Sequence, residues 1–184
     1  MTTICTFATL EEAKSFLEKT RAEKCNDHYR SKDILIVITG IGPFAAYTAT
    51  LPFIHMATHV YNLGIAGALH QEVEPWRCHT IKAVSKLSWH PKTPSFHDTI
   101  ELDTNGSRLC TLDFPLYDSP IKESLQGQFD LVDMEGYALA HLCQMHNKPL
   151  TLIKVVSDYC NSKTGQDIQK NLSRLSDILS LGAP

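Results

Sequence analysis

Arginine is scarce in this chain, with five among 184 residues, at positions 21, 30, 77, 108 and 174, and lysine and arginine nowhere form a run. With a net charge of −3, the sequence has no basic stripe to track a phosphate backbone, so a nucleic-acid partner is not expected. No apolar stretch approaches the roughly 20 residues needed to cross a bilayer, and the start of the chain lacks a basic segment followed by a long apolar core. No membrane partner is expected, and the location is read as cytoplasmic. The six cysteines, at 5, 25, 78, 110, 143 and 160, include no C-x-x-C pair. Scattered in this way they read as reduced, buried small hydrophobes, which excludes a disulfide framework. His55 and His59 are four apart and fit one helix face, but no acid or cysteine joins them at ligand spacing, so no metal site is expected. His90 and His97 read as exposed loop histidines. What remains, 43% hydrophobic and 20% charged, is one ordinary globular domain over 1–184 with enough apolar residues for its own core.

What is present centres on Leu131 to Ala140, LVDMEGYALA. Met134, Tyr137, Ala138, His141, Leu142 and Met145 recur at the spacing of one helix face. Asp133 then sits where an N-cap belongs and Glu135 falls in the first turn, where the helix dipole favours an anion. A capped helix with an acidic first turn accounts for both residues without any function. Pro149 ends that helix, and Leu150 to Val156 has the composition of a buried strand. The strand stops at Ser157-Asp158. Ligands of open α/β sheets bind outside the carboxyl ends of strands, which puts Asp158 where a functional acid belongs. A turn-forming or capping Asp is the plainer alternative.

Earlier in the chain, Thr3 to Thr9 predicts a first strand, and Thr9 with Glu12 forms a capping box for a helix whose apolar face is Ala13, Phe16 and Leu17. Ile34 to Thr39 predicts a strand, followed by Gly40-Ile41-Gly42 and a helix to about Ala57. This contains the GxGxxA pattern of dinucleotide binding, but the next strand, His59 to Leu63, ends in Gly64-Ile65-Ala66-Gly67 with no acid to hold a ribose. Two glycine turns at two strand ends suit a backbone approaching one small ligand from two sides. Residues 74–87 predict further strand with Ile81, Ala83 and Val84 inward. Residues 88–102 read as a loop, either a lid or a surface excursion. A short strand over 108–114, a short helix over 121–125 and a closing amphipathic helix carrying Ile168, Leu172, Leu175, Ile178 and Leu179 complete the pattern.

Asp133-Met134-Glu135-Gly136 and Val155-Val156-Ser157-Asp158, about twenty residues apart, together resemble the nucleosidase branch of the purine nucleoside phosphorylase superfamily. The glycine segments resemble it too, Gly-Ile-Gly followed by Ala45-Ala46 and Asn62-x-Gly-x-Ala-Gly. The most similar groups are the methylthioadenosine/S-adenosylhomocysteine nucleosidases and the futalosine hydrolases. The resemblance implies a single α/β domain with a central mixed β-sheet flanked by helices. It further implies a homodimer, a small-molecule purine nucleoside as substrate, and neither metal nor organic cofactor. Glu135, with Met134 beside it, would hold the ribose hydroxyls, and Asp158 would protonate the leaving base. Gly42, Gly64, Ile65, Ala66 and Ser157 would line the pocket, with Phe114 stacked on the purine. The family's nucleosidases read Ala-Met-Glu where this chain reads Ala8-Thr9-Leu10. Leucine therefore stands where a water-activating Glu is expected. Glu12 is the substitute, because Ala-Thr-x-x-Glu-Ala resembles the opening of futalosine hydrolases, with Glu11 second. That segment and Gly-Ile-Ala-Gly favour futalosine or aminodeoxyfutalosine of menaquinone biosynthesis over methylthioadenosine and S-adenosylhomocysteine.

Cleaving an N-ribosyl bond builds positive charge on the sugar and negative charge on the base. An acid for the base, an anion near the sugar and a third carboxylate for water therefore suffice. A phosphorylase would need basic groups converging on a dianion, and the glycine turns hold no arginine. A nucleoside-binding module that has lost its water-activating group remains a third alternative, which Leu10 permits.

Overall fold

The computed structural model describes residues 2–90, 93–102, 104–117 and 120–182. In chain order the elements are β1 (Thr2–Phe7), α1 (Leu10–Thr20), β2 (Glu23–Cys25), β3 (His28–Ser31), β4 (Ile34–Ile38) and α2 (Pro43–Thr50). A 3-10 segment over Leu51–Met56 leads into β5 (Ala57–Ala68). There follow β6 (Cys78–Ser88), β7 (Ser95–Phe96), β8 (Ile100–Glu101), β9 (Ser107–Thr111), α3 (Pro120–Leu125), β10 (Leu131–Asp133), α4 (Gly136–Met145), β11 (Leu150–Asp158) and α5 (Thr164–Gly182).

The sheet runs β10-β9-β6-β11-β5-β1-β4-β3-β2 and mixes parallel with antiparallel pairs. Its β-branched strands alternate between two cores, as a period of two requires. Ile4 of β1 and Leu35 and Val37 of β4 face one core, shared with Ala140, Leu142 and Cys143 of α4. Cys5, Phe7 and Ile36 face the other, against Ala13 and Phe16 of α1 and Leu175 and Leu179 of α5. The mixed α/β sheet flanked by helices is thus as the sequence implies. Its closure is not visible in the pattern: β10 also pairs antiparallel with β5, Leu131 opposite Ala68 and Val132 opposite Gly67. Strands β5, β11, β6, β9 and β10 therefore form a ring, and the carboxyl ends of β10 and β11 meet at Gly67.

Several expectations change. The Gly64 to Gly67 segment is no turn, since β5 runs straight through it, with Gly64 opposite Lys154 and Gly67 opposite Asp158. Asp133 ends a strand, and α4 begins at Gly136 with Glu135 as its N-cap residue. The buried face of α4 is Ala138, Leu139, Leu142 and Cys143, while Met145 is 60% exposed. The helix starts two residues later than an Asp133 cap implies, and its buried face is not the predicted stripe. Residues 88–102 return as β7 and β8 along β6, pairing Phe96 with Leu87 and Ile100 with Val84. Pro91 and Lys92 of that segment lie outside the described residues. The expected helix running to about Ala57 is shorter than predicted, because Pro52 tightens its end into the 3-10 segment.

Gly106, at φ +151, precedes β9, and a Cβ there would lie 1.8 Å from the Thr80 carbonyl oxygen. Backbone cannot yield to that contact without breaking the β6–β9 register. Gly106→Ala is expected to lose several kcal/mol of stability, read as a lower urea midpoint; an unchanged midpoint would refute the close approach.

Candidate active site

The site is assembled where the ring of strands closes. At the end of β11 the register slips: Val156 lies opposite Ala66 and Asp158 opposite Gly67, leaving Ser157 as a bulged residue that re-aims the side chain after it. Asp158 is buried. Its Oδ1 accepts from the Cys160 backbone N–H at 2.7 Å and from the Thr164 hydroxyl at 2.6 Å; its Oδ2 accepts from the Ser157 hydroxyl at 2.6 Å. Gly67 makes the room, since a Cβ there would stand 2.4 Å from Cys160 Sγ and 3.3 Å from Asp158 Oδ1.

Facing it across the closure, Asp133 is held from three directions. Its Oδ2 forms an ion pair with Lys154 Nζ at 2.7 Å and accepts from Gly136 N–H at 2.8 Å; its Oδ1 accepts from Thr111 Oγ1 at 2.6 Å. Lys154 lies mid-strand in β11 and is fully buried. Although burial disfavours its charge, the Asp133 and Glu135 carboxyls beside it raise its pKa, so the ammonium persists. Glu135 Oε1 accepts from Gly42 N–H at 2.9 Å. Burial, with Asp133 adding repulsion, pushes the Glu135 carboxyl upward, against the pull of Lys154 and Gly42.

Glu12 completes the cluster from the first turn of α1. Thr9 caps that turn, accepting from Glu12 N–H at 3.2 Å, and the Thr9 hydroxyl lies 3.0 Å from Glu12 Oε1. Capping thus fixes the acid instead of explaining it away. Glu12 is 4% exposed and its Oε2 has no hydrogen-bond partner. Burial, and then the nearby Glu135, lift its carboxyl from 4.5 to about 7. Gly64 leaves space for this group, since a Cβ there would lie 3.2 Å from Lys154 Nζ and 3.5 Å from Glu12 Oε2.

These groups open on a cavity of about 340 Å³, the size range of a small-molecule site. Of the residues singled out from sequence, Glu12, Glu135, Met134, Ile65, Ala66, Phe114, Ser157 and Asp158 line it. Gly42 and Gly64 do not: Gly42 sits behind Glu135 as its donor, and Gly64 under the Lys154 and Glu12 head groups. Glu11 lines it beside Glu12, while Leu10, where a family Glu was expected, is 47% exposed and points elsewhere. No described residue of 88–102 lies on its walls. Residues that sequence reasoning missed include Ile41, Leu112, Leu116, Thr164, Ile168 and Leu172 on the walls, and Lys154 below them. One signal for Lys154 was there: a lone cation inside the apolar run Leu150 to Val156, a residue type almost never fully buried unless paired.

Two consequences are measurable. Lys154→Met leaves the Asp133 carboxyl buried without its cation and is expected to cost about 3–5 kcal/mol, read by guanidinium unfolding; an unchanged midpoint would show the pair to be dispensable. Glu12 has a folded pKa above its unfolded one, so between 4.5 and about 7 the native state binds more protons and stability falls as pH rises. At about 1.4 kcal/mol per pH unit, ionised Glu12 costs the fold on the order of 3 kcal/mol. Glu12→Gln is expected to raise Tm at pH 8 by several degrees and to have little effect near pH 4; a pH-independent difference contradicts the assignment.

Residues 99–180 match the family model of the phosphorylase superfamily. No curated protein sequence matches the chain. Among solved structures, the 5′-methylthioadenosine/S-adenosylhomocysteine nucleosidase of Helicobacter pylori, bound to butyl-thio-DADMe-Immucillin-A, superimposes with a TM-score of 0.82. It shares 18% identity over 98% of this chain and 95% of its own. The futalosine hydrolase of the same organism gives 0.82 at 16% identity, covering 98% and 94%. The MTAN of Chlamydia trachomatis gives 0.78 at 22%, covering 99% and 95%. The second half of the chain is thus similar to the phosphorylase superfamily, and the fold of the whole chain is the one that these nucleosidases share.

Proposed function

We propose that the protein is a nucleosidase, a hydrolase of the N-glycosidic bond in a 5′-modified purine nucleoside, with Asp158 as acid and Glu12 as base. The observation that carries this is the pair itself. Two carboxyls line one cavity, Asp158 held by three donors and Glu12 with an unpartnered oxygen and a carboxyl lifted to about 7. A base whose pKa lies near neutrality takes a proton from water most effectively. In this mechanism the C1′–N bond breaks with its electron pair going to the purine, and Asp158 supplies the proton that neutralises the departing base. Water oxygen adds to C1′, and its proton passes to Glu12. Glu135, held by Gly42 N–H, orients the ribose hydroxyls and, as an anion, favours the cationic sugar over the neutral ground state.

Hydrolysis is favoured over phosphorolysis by the charge of the walls. Among the described residues, every charged side chain on the cavity is a carboxyl, namely Glu11, Glu12, Asp133, Glu135 and Asp158, and the neighbouring ammonium of Lys154 is taken by Asp133. A phosphate dianion has no arginine or free lysine to meet it on these walls. The remaining walls, Ile41, Leu112, Phe114, Leu116, Ile168 and Leu172, suit an apolar or aromatic 5′ group. With the Ala-Thr-x-x-Glu-Ala and Gly-Ile-Ala-Gly segments, this supports futalosine or aminodeoxyfutalosine as substrate, with methylthioadenosine and S-adenosylhomocysteine as the other candidates. A homodimer belongs to the same reading, supported by Ile41 on the cavity wall, 63% exposed, and by Phe44 three residues on, 81% exposed. So does a cytoplasmic location; among the described residues no helix is long and apolar enough to cross a membrane.

In phosphate-free buffer, free base is expected from at least one of these four nucleosides, with the ranking of kcat/KM naming the substrate. Activity is expected to rise with pH through about 7 as Glu12 ionises. Asp158→Asn is expected to lower kcat roughly 10²–10⁴-fold with folding intact. Base release only on adding phosphate would establish a phosphorylase instead, and ligand binding without any release a binding module.

A further inference from the structure

The two oxygens of Asp158 are not equivalent, and the asymmetry is imposed by a residue of the closing helix. Thr164, the first residue of α5, has a hydroxyl that accepts from Asn161 N–H at 3.0 Å. Its single proton is therefore directed at Asp158 Oδ1, 2.6 Å away. The same oxygen accepts from Cys160 N–H at 2.7 Å. Both partners of Oδ1 are obligate donors, and a proton on Oδ1 would point at one of them. The partner of Oδ2 is different. Ser157 Oγ lies 2.6 Å from Oδ2 and 3.3 Å from the Ala66 carbonyl oxygen, so its hydroxyl has an alternative acceptor and is free to receive a proton from Oδ2.

We propose that Thr164 is a positioning residue that confines the transferable proton of Asp158 to Oδ2, where Ser157 can exchange roles with it, and so sets which oxygen gives its proton to the leaving base. The proposal rests on the nucleosidase reading and adds to it the atom that carries the proton. With Asp158 protonated, Oδ2–H is accommodated by Ser157, which turns its own proton to Ala66. With Asp158 ionised, Ser157 turns back and donates to Oδ2. Neither state leaves a buried polar group unpaired, and in both Oδ1 keeps its two donors. The charged or titratable groups around it are Cys160 on the same turn, Lys122 of α3 bonded to the Tyr159 carbonyl, Glu11 and Glu12 of α1, and Asp133 and Glu135 across the closure. The Cys160 thiol, pushed up to about 12 by burial, stays neutral and does not compete for the proton. The same helix also reaches the other acid: Ser176 donates to the Glu12 carbonyl at 3.0 Å and accepts from Ser15 N–H at 3.0 Å. One rigid helix therefore ties the acid and the base to a common frame.

The test compares Thr164→Val and Thr164→Ser on the preferred purine nucleoside and on a 4-nitrophenyl riboside, whose leaving group departs as an anion and needs no proton. Thr164→Val is expected to lower kcat on the purine nucleoside about 10- to 100-fold, with KM within about threefold and nitrophenolate release retained. Thr164→Ser, which keeps the hydroxyl, is expected to restore purine release. Thr164→Ala serves in place of the valine variant if that one unfolds. Full purine turnover by the valine variant, or an equal loss on both substrates, would overturn the positioning role while leaving the nucleosidase reading intact. A wild-type protein inert on both substrates would overturn that reading and this proposal with it.

Discussion

One ammonium group sealed from water decides the arrangement of this site. Lys154 is fully buried on β11, and its ion pair with Asp133 joins the strand that ends in Asp158 to the strand that leads into Glu135. A buried pair of this kind is a poor source of net stability, because desolvation offsets most of the attraction. Its contribution here is positional. It neutralises the central carboxyl of three, so that Glu12 and Glu135 approach the same spot without all the repulsion that three bare anions would impose.

The fold meets the demands of that pair with space and donors. Glycine stands where a side chain would strike the head groups, at 64 below Lys154 and Glu12 and at 67 against Cys160 and Asp158. Thr111 does double service, donating to Asp133 and accepting from Tyr137 N–H at 2.9 Å, so the start of α4 is locked to the end of β9. Gly42 N–H, at the start of α2, fixes Glu135. Apart from the Lys154 ammonium on Asp133, the donors that orient these carboxyls are backbone N–H groups or short hydroxyls, which bring no competing charge. The unpartnered oxygen of Glu12 is the exception, a local cost of the type that functional sites retain.

Much of this was legible in the chain. The strand at 150–158 and its terminal acid, the capped first helix with Glu12, the strand before Gly40 and the closing helix follow from period and cap chemistry, and the acids at 12, 135 and 158 do line one cavity. The glycine segment at 64–67 misled, because glycine reads as a turn whereas here it is strand backbone kept bare for its neighbours. The face of α4 was misplaced because Asp133 bonds to Gly136 N–H as a cap would, but from within a strand. Local rules see the hydrogen bond and not the sheet that holds its acceptor.

Sequence alone determined which groups are available: acids at strand ends and in a first helical turn, walls without arginine, and alternation that must bury each strand on two faces. These are properties of neighbours along the chain, set by φ/ψ preference and side-chain period. Only the tertiary structure decided how they meet. The closure of β10 onto β5 at Gly67, with a bulge at Ser157, brings Asp133 and Glu135 opposite Asp158 and over Lys154. That closure depends on hydrogen bonds between strands more than sixty residues apart, and the protonation of Glu12 depends on burial that no local pattern records.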